Sequence, residues 1–434
     1  MPTAPARITI LAHGTRGDAQ PGIALGKGLA ARGHTVTVLA SAGFEAWIRG
    51  HGLEAAPSSV DVQALMATDA GQEWSERGNN PLAQLRVMRQ LLDQHGLEMA
   101  NDAYAACQGA DLIISQFTTM IYATSIAEKL GTPHMVQLLQ PPVVATRYGS
   151  AMMNAPLPTR KSWINYLFGK IFIQPVGWQL YGNSASQFRR TTLGLPPQSR
   201  SESEAQFLRV PFILCYSPHV VPPAPDWPPN VQTTGFLFLD EKGEQIWQPP
   251  DRLRSFLQAG KEQGAPTISI GFGSMTGEAG KRMSQLVVEA VQRSGVQAVL
   301  LSGWAGLGDV DLPQTVLRLD AVPHDWLFPR MDAVVHHGGA GSTAASLRAG
   351  APTIIVPHMA DQPFWGSRVH ALGVGPKPIP RPKLTPDNLA RAIRQAVTEP
   401  IMTKRAKQLS AQIQAEDGLG NAIAGVEAHL AATT

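Results

Sequence analysis

The stretch "RITILAHGTRGDAQPGIALGKGLAARGHTVTVLA", residues 7–40, decides the fold class of this chain. It begins and ends in short apolar runs, and the part between them carries apolar residues at helical spacing. Two buried strands joined by an amphipathic helix are typical of a β-α-β unit in a parallel sheet. The turn "HGTRGDAQP" (13–21) after the first strand is open to three interpretations: a dinucleotide-binding fingerprint, an exposed Arg-Gly-Asp loop, or an active site built around Asp18.

The composition is that of a globular chain of 434 residues, 44% hydrophobic and 16% charged, and its length favours two domains. Lys and Arg outnumber Asp and Glu by 36 to 33 without a dense basic cluster, so no nucleic-acid partner is expected. Cys107 and Cys215 lie far apart in apolar surroundings, which predicts neither a disulfide framework nor a metal cluster. With no secretory leader and no run of about 18 apolar residues, we expect a cytoplasmic protein and leave a peripheral membrane contact open.

The alternation of strands and helices recurs along most of the chain. It predicts an α/β protein with two doubly wound, Rossmann-like domains that face each other across a cleft. Prolines crowd residues 217–230 and mark a domain boundary. We therefore expect a first domain at residues 1–225, an interdomain linker at 226–250, a second domain at 251–412 and a C-terminal helix at 413–434 that can pack back on the first domain.

Residues 146–198 depart from the alternation of strands and helices and predict a helical insertion in the first domain. Large apolar side chains recur there at helical spacing beside Lys161 and Lys170. They are Trp163, Ile164, Leu167, Phe168, Ile171 and Phe172. Such a stripe is either packed core or an apolar face that contacts a substrate or a membrane, and the sequence leaves both alternatives open.

The segment "AVVHHGGAGSTAASLRAGAPTIIVPHMADQP" (333–363) holds the clearest ligand-binding pattern. An apolar strand runs into a glycine turn, and a helix is expected to begin near Ser342. Unpaired N–H groups and the positive end of the dipole make a helix N-terminus an anion site, and glycines let a phosphate approach closely. The glycines are Gly338, Gly339 and Gly341. His337 either adds a hydrogen bond or a positive charge to a diphosphate or is simply packed.

Two other uses of this segment are disfavoured. It lacks the spacing and the Lys of a P-loop, which argues against a nucleoside triphosphate. His336 and His337 are adjacent on a strand and point to opposite faces, so a metal site that also includes His358 and Asp361 is not expected.

Two neighbouring motifs extend the anion site. "SIGFGSM" (269–275) is a second strand-to-glycine turn, in which Ser274 would face the same anion. Asp361 and Gln362 follow another buried strand at its carboxyl end, where ligands of parallel sheets bind. A carboxylate beside an amide suits paired sugar hydroxyls, and a helix N-cap is the alternative role for Asp361.

With these motifs in view, the chain resembles nucleotide-sugar glycosyltransferases of the two-Rossmann-domain GT-B architecture, in particular the sterol glucosyltransferase branch. The resemblance covers most of the chain and implies an acceptor half at the N-terminus and a donor half at the C-terminus. It is carried by "GTRGDAQPGIALGKGLAARGH" (14–34), "DWPPNVQTTGFLFLD" (226–240), "ISIGFGSM" (268–275) and "VPHDWLFPRMDAVVHHGGAGSTAASLRAGAPTIIVPHMADQPFWGSRV" (322–369).

The resemblance implies a donor site in which a histidine contacts the diphosphate, the turn after it cradles the phosphates and an Asp-Gln pair holds the sugar. The expected donor-site residues are Arg16, Ser274, His337, Gly339, Ala340, Gly341, Ser342, Thr343, Asp361 and Gln362. The expected acceptor-site residues are His13, Gln116, Trp163, Phe168 and Phe172.

Asp18 is the expected catalytic base. It lies three residues before Pro21, where plant-type members carry their catalytic histidine and where the sterol and glycopeptide branches carry an aspartate proposed as general base. Gln116 stands where plant-type members have an aspartate that orients the histidine, so the two departures agree. Ala321 stands at the position of their base-stacking Trp, which leaves UDP and TDP open. The glycines of the turn are not spaced G-x-G-x-x-G, and a strand and a helix clamp it, so the dinucleotide and Arg-Gly-Asp interpretations are rejected.

The expected function is inverting transfer of a hexose, glucose by resemblance, from a UDP-sugar to a hydroxyl of an apolar acceptor such as a sterol or triterpenoid. Neither a metal nor another cofactor is expected. Macrolide, carotenoid, flavonoid and lipid acceptors are alternatives. A nucleotide-sugar epimerase and a non-catalytic sugar-nucleotide-binding protein are the rivals from other classes.

Overall fold

The chain folds into two compact α/β units. The computed structural model describes residues 4–68, 81–142, 144–148, 157, 160–239, 247–272, 277–301 and 312–433. The described residues up to 239 and those from 416 onward form the first unit, and residues 247–415 form the second.

A seven-stranded parallel sheet, in the order β3-β2-β1-β4-β5-β6-β7, organises the first unit. Its strands are β1 (Arg7–Leu11), β2 (Thr35–Leu39), β3 (Glu54–Ala55), β4 (Leu112–Ser115), β5 (His134–Leu138), β6 (Phe212–Leu214) and β7 (Val231–Thr233). The central strands β4 and β5 are buried along their whole length. This explains why they occur as continuous apolar runs in the sequence rather than as an alternating pattern.

Helices cover this sheet. The first eight are α1 (Arg16–Ala31), α2 (Glu45–Gly50), α3 (Val62–Ala67), α4 (Pro81–Ala106), α5 (Met120–Leu130), α6 (Trp163–Phe168), α7 (Val176–Phe188) and α8 (Arg200–Phe207). Helices α4, α5 and α7 share one aromatic core, in which the Tyr122 ring lies 5.6 Å from Tyr181 and 6.0 Å from Phe188. The Tyr122 hydroxyl meets the Ser184 hydroxyl at 2.7 Å, so its polar end is satisfied inside this core.

Strand β7 lies within the range expected to be interdomain linker. Val231–Thr233 pairs in parallel with Phe212–Leu214 at the edge of the first sheet, so the proline-rich boundary precedes a strand and is not all linker. Prolines disfavour a central strand but tolerate a short edge strand, which is why the composition concealed it.

A five-stranded parallel sheet, in the order β10-β9-β8-β11-β12, organises the second unit. Its strands are β8 (Thr267–Gly271), β9 (Gln297–Leu301), β10 (Val316–Leu319), β11 (Ala333–His336) and β12 (Thr353–Ile355). Its helices are α9 (Asp251–Gln263), α10 (Gly277–Ser294), α11 (His324–Leu327), α12 (Ala340–Ala349), α13 (Gln362–Ala371), α14 (Pro386–Thr398) and α15 (Pro400–Gln414).

The last helix, α16 (Gly418–Thr433), belongs to the first unit and lies along α1. The Arg32 guanidinium donates to both carboxylate oxygens of Glu427 at 3.0 Å, and Asn421 Nδ2 donates to the Thr234 carbonyl at 3.0 Å. A Cβ on Gly28 would lie 2.6 Å from Ile423 Cδ1, so the two helices approach closely at that position.

Helix α6 continues into a π-helical turn at Gly169–Ile173, and the apolar stripe of the insertion lies on these two elements. Trp163, Ile164, Leu167, Ile171 and Phe172 are each more than half exposed, whereas Phe168 is partly buried. For these five side chains the core interpretation is therefore wrong. Within the described residues, no helix combines the length and the apolar character needed to cross a bilayer.

Candidate active site

Each sheet reverses its strand order at one point, and ligands of such folds bind there, beyond the carboxyl ends of the strands. In the first unit the reversal lies between β1 and β4, and in the second it lies between β8 and β11. The turn after β1 carries Asp18, and the turn after β11 carries His337 and the glycines. The two clearest motifs of the sequence therefore lie at the two switch points.

Asp18 lies in the first turn of α1, which begins at Arg16 and not near Gly22 as the sequence pattern indicated. Its Oδ2 accepts hydrogen bonds from the Thr15 N–H at 2.8 Å and from the Thr15 hydroxyl at 2.9 Å. This is the reciprocal cap that a Thr-x-x-Asp sequence forms at a helix N-terminus. The side chain is partly exposed, and the cap fixes its rotamer.

Gly14 is required by the position of the Asp18 carboxylate. A Cβ on Gly14 would lie 2.5 Å from Asp18 Oδ2 and 2.8 Å from Asp18 Cβ. Because both the end and the root of the Asp18 side chain are within that reach, any larger residue at Gly14 must displace the whole side chain. Gly17 differs, since its Cβ would meet Thr15 Oγ1 at 3.6 Å, an ordinary contact.

The environment raises the pKa of the Asp18 carboxyl above its ordinary value of 3.8. Desolvation by the surrounding protein is the largest cause, and the hydrogen bonds from Thr15 oppose it. A carboxylate with a raised pKa is a stronger base than a free aspartate whenever it is ionised.

Gln116 hydrogen-bonds to the backbone of Asp18 from the interior of the first unit. It is 4% exposed, and its Nε2 donates to the Asp18 carbonyl at 3.0 Å and to Gln137 Oε1 at 2.9 Å. The Nε2 of Gln137 in turn donates to the Pro21 carbonyl at 3.2 Å. The Gln116 Nε2 thus supports the first turns of α1 from the interior, whereas its buried Oε1 meets no partner among the described residues, and the acceptor contact stays a prediction.

His13, expected in the acceptor site, is packed inside the first unit. It is 1% exposed, and its Nε2 lies 3.3 Å from the Ser58 hydroxyl. Burial lowers the pKa of its imidazole to about 4, so His13 is neutral at physiological pH. Arg16, expected in the donor site, is exposed at the start of α1 with its guanidinium 4.7 Å from the centre of the Trp47 ring.

In the second unit, a hydrogen bond to His336 fixes the conformation of the glycine turn. Its Nδ1 accepts a hydrogen bond from the Gly338 N–H at 3.0 Å, so the ring proton is on Nε2, which lies 3.2 Å from the Ser346 hydroxyl of α12. Gly338 has φ +93°, and a Cβ there would lie 2.6 Å from Ile355 Cγ2. Both the backbone conformation and the packing therefore require glycine.

His337 directly follows β11, and its ring centre lies 6.3 Å from that of His336 in an edge-to-face arrangement. Burial lowers the pKa of its imidazole to about 4, so the ring is a neutral hydrogen-bonding group near pH 7. Its Nδ1 is buried and meets no hydrogen-bond partner in the described part of the chain. An unpaired buried nitrogen is costly, and a ligand with acceptor oxygens would satisfy it once the ring presents its N–H there.

Helix α12 begins at Ala340, two residues earlier than expected, and Gly339 is its N-cap. Among the described residues no side chain caps this end, in contrast to α1, so its first N–H groups are open to an anion there. A Cβ on Gly341 would meet nothing within 4 Å, Ser342 is partly exposed, and Thr343 is buried with its hydroxyl unpartnered among the described residues.

Asp361 and Gln362 follow β12, and each has an internal contact. The Trp365 Nε1 donates to Asp361 Oδ2 at 2.7 Å, and Gln362 Oε1 accepts from the N–H groups of His358 and Met359 at 2.8 and 3.0 Å. The Gln362 Nε2 is therefore the part of this side chain that would meet the expected sugar. Ala360, directly before the pair, has φ +53°, a conformation that costs an alanine about 1–2 kcal/mol.

The structure adds His358 and Phe272 to this region. The His358 ring lies 6.3 Å from His337 and 5.8 Å from Phe272, and its buried Nε2 meets no partner among the described residues. The histidine after the "TIIVP" strand was visible in sequence but was considered only as a metal ligand. Ser274 lies outside the described residues, and within those residues no three His, Cys, Asp or Glu side chains cluster so as to hold a metal ion.

Both halves of the chain match known protein families. Residues 8–148 match the glycosyltransferase family 28 N-terminal domain, and residues 300–422 match the erythromycin biosynthesis protein CIII-like C-terminal domain. The sterol 3-beta-glucosyltransferase of Aspergillus fumigatus is 37% identical over 97% of this chain, and the chain spans 29% of that protein.

Two solved structures share the fold over nearly the whole chain. The glycotransferase of kitacinnamycin is 20% identical, with a TM-score of 0.72 over 98% of this chain and 100% of that one. The glycosyltransferase SsfS6 of Streptomyces sp. SF2575, complexed with thymidine diphosphate, is 17% identical, with a TM-score of 0.60 over 98% and 99%. The chain has the two-domain GT-B fold of these glycosyltransferases.

The pH dependence of stability tests the protonation state of Asp18. Because its folded pKa is raised, the ionised carboxylate costs stability near neutral pH, and the cost disappears as the pH falls through that pKa. We expect Asp18→Asn to melt at or above the wild-type temperature at about pH 7 and to lose this advantage towards about pH 4. Thermal unfolding across this range measures the difference.

Glu202 is the matched control. It occupies the same capping position in α8, but hydrogen bonds from Ser199 lower its pKa. Glu202→Gln should therefore melt below the wild type near neutral pH, with the deficit fading as the pH falls through the lowered pKa. The same sign of change for both variants at neutral pH would contradict the assigned environment of Asp18.

The two glycines of the second turn should respond differently to alanine. Gly338→Ala should lower the free energy of unfolding by about 1–3 kcal/mol, because φ is positive at this position and the added methyl group would clash with the Ile355 side chain. Gly341→Ala should cost nothing and can gain up to about 1 kcal/mol, because it lies in a helix with open space around it. Urea unfolding measures both, and equal losses would refute the assignment.

Proposed function

We propose that this glycosyltransferase moves a hexose, glucose by preference, from a UDP-sugar to a hydroxyl of an apolar alcohol such as a sterol, with inversion at the anomeric carbon. The observation that carries the proposal is the contrast between the two helix N-termini: α1 is capped by Asp18, whereas α12 is uncapped and lies beside a neutral histidine. One turn is therefore suited to a base and the other to a diphosphate.

The donor diphosphate would bind at the start of α12. The N–H groups of Ala340, Gly341 and Ser342 and the helix dipole favour negative charge there, and His337 supplies a neutral hydrogen-bond donor. These groups would stabilise the charge that develops on the departing nucleoside diphosphate. Since backbone dipoles and hydrogen bonds supply this stabilisation, the proposed mechanism routes no step through a metal ion.

Asp18 would accept the proton of the acceptor hydroxyl as the oxygen attacks the anomeric carbon. The C–O bond to the diphosphate breaks as the new bond forms, in a single displacement. The raised pKa of Asp18 supports this role, and Thr15 holds the carboxylate in one orientation. Gln116 would act on the reaction only through the backbone of α1, as a positioning residue.

Resemblance supports the finer substrate assignments. The relative in Aspergillus fumigatus is a sterol 3-beta-glucosyltransferase, which favours glucose and a sterol, and SsfS6 binds thymidine diphosphate, which keeps a TDP-sugar as the second donor. A panel of UDP- and TDP-sugars against sterol, polyketide and flavonoid alcohols, read by mass shift, identifies both substrates. Conversion of the donor to an epimer without an acceptor would favour an epimerase, and binding without turnover would favour a non-catalytic protein.

Two variants separate the base from the donor site. Asp18→Asn should lower kcat by about 10²–10⁴-fold with little change in donor Kd, because only the proton acceptor is lost. His337→Ala should weaken donor binding by about tenfold or more, the usual loss for a hydrogen bond to a charged group. Steady-state kinetics and calorimetric titration with the nucleoside diphosphate provide the readouts.

The exposed His370 is the control for the histidine substitution, and His370→Ala should match the wild type. Near-wild-type turnover in Asp18→Asn would refute the base assignment. Addition of a chelator should leave the rate unchanged, and strong inhibition would contradict the metal-free route.

Gly14→Ala should reproduce much of the Asp18→Asn defect without touching the carboxylate chemically. The new methyl group forces the Asp18 side chain out of its capped rotamer, and a displacement of about 1 Å at a reacting group can cost about 10²-fold in rate. Gly17→Ala, which adds the same methyl group three residues later in ordinary contact with Thr15 Oγ1, should keep kcat within about twofold. Equal rates in the two variants would show that the carboxylate position does not matter.

A further inference from the structure

Helix α6 and the π-helical turn after it turn their large apolar side chains outward. Trp163 and Ile171 are 60% exposed, Phe172 is 59%, Ile164 is 57% and Leu167 is 52%. Among the described residues only one other large apolar side chain, Ile401, is as exposed. We call these five residues the apolar face. It runs for about 14 Å along the helix axis, at 1.5 Å per residue.

The opposite side of the same helix anchors it to the first unit, so the outward orientation is built in. Asn165 is 2% exposed, and its side-chain amide donates to the carbonyls of Arg147, Leu157 and Arg160 while its Oδ1 accepts from the Leu157 N–H. A Cβ on Gly169 would lie 2.9 Å from Ala145 Cα. A fully bonded amide and a glycine thus fix the inner side, and the apolar side chains are left on the outer side.

Positive charge borders the apolar face. The Arg147 guanidinium lies 3.9 Å from the centre of the Trp163 ring, and Lys170 Nζ lies 5.9 Å from that of Tyr166. Arg160 and Lys161 are exposed next to the start of the helix. The sequence from 129 to 201 contains eight Lys and Arg and no Asp or Glu, although the two signs nearly balance over the whole chain. Asp226, which contacts this region, already accepts hydrogen bonds from Thr146 and the Arg147 N–H.

We propose that the apolar face and its basic border dock this protein on an anionic lipid surface. Trp and Tyr favour the boundary between headgroups and acyl chains, the aliphatic and Phe side chains would enter the acyl region, and each Lys or Arg gains from nearby anionic lipid. Long basic side chains keep their charges at headgroup level while their stems cover apolar surface.

A second copy of the chain fits the face less well. A two-fold contact through this face would bring the two basic borders together, and like charges at a shared interface repel. The same charges are complementary to an acidic bilayer. A membrane surface is therefore the occupant that both the apolar area and the charge favour.

Vesicle flotation of the full chain, without donor or acceptor, tests the proposal. Vesicles of phosphatidylcholine with and without phosphatidylglycerol, and without any sterol, exclude recognition of a sterol acceptor as the cause of binding. We expect binding to the anionic vesicles that weakens with added salt, and weak binding to phosphatidylcholine alone. Failure to float with anionic vesicles would overturn the proposal.

Two pairs of substitutions dissect the surface. Trp163→Ser with Phe172→Ser should lower the partition coefficient by about tenfold or more through lost apolar insertion. Lys161→Gln with Lys170→Gln should lower it by about tenfold or more on anionic vesicles and remove most of its salt dependence. The controls are Ile401→Ser and Lys404→Gln, exposed residues of α15, which should bind as the wild type does.

Melting temperature and light scattering complete the test. Because the altered side chains are exposed, every variant should melt with the wild type, and lost flotation then reports the surface alone. Equal flotation of the apolar-face and control variants would overturn the proposal. A concentration-dependent dimer that is abolished by the Trp163→Ser and Phe172→Ser substitutions, without vesicle binding by the wild type, would assign the face to a second copy instead.

Discussion

A parallel strand that passes within a few residues into a helix must expose the first N–H groups of that helix at the edge of the sheet, and both units depend on how these groups are satisfied. In the first unit the chain supplies its own anion, since the Asp18 carboxylate receives hydrogen bonds from Thr15. In the second unit Gly339 occupies the cap position and no side chain serves as the cap. A carboxylate of the chain itself thus serves the start of the helix in the first unit, whereas an external anion would serve it in the second.

Glycine placement follows from these two solutions. Gly14 makes room for the carboxylate of the first unit, and Gly338 adopts the left-handed conformation that lets His336 accept its N–H in the second. Gly341 has neither a steric nor a conformational reason to be glycine within the described chain. Its space faces outward at the uncapped helix end, where a bulky anion would need it.

The sequence predicted buried strands such as β1, β2 and β11, because buried parallel strands are continuous apolar runs, often with glycine turns behind them, and it missed the short edge strand β7. It misplaced the start of α1, because Gly17 and Pro21 suggested a loop, although Thr15 and Asp18 at capping-box spacing carried the correct signal. The tie between Gln116 and Asp18 could not be predicted, since it joins residues 98 positions apart. The direction of the apolar stripe was equally hidden, because the same period describes a helix packed inward or outward. The outward direction of the stripe follows only from the inward position of Asn165 and Gly169.

The return of α16 to the first unit has a consequence for how the chain folds. Arg32 and Glu427 are 395 residues apart, and the whole second unit is made between them. During synthesis the second unit can complete its own short-range contacts while the first still lacks its last helix and leaves part of α1 uncovered. Removal of this C-terminal segment would therefore harm the first unit, which the chain began to build first, and spare the second unit, which directly precedes the segment.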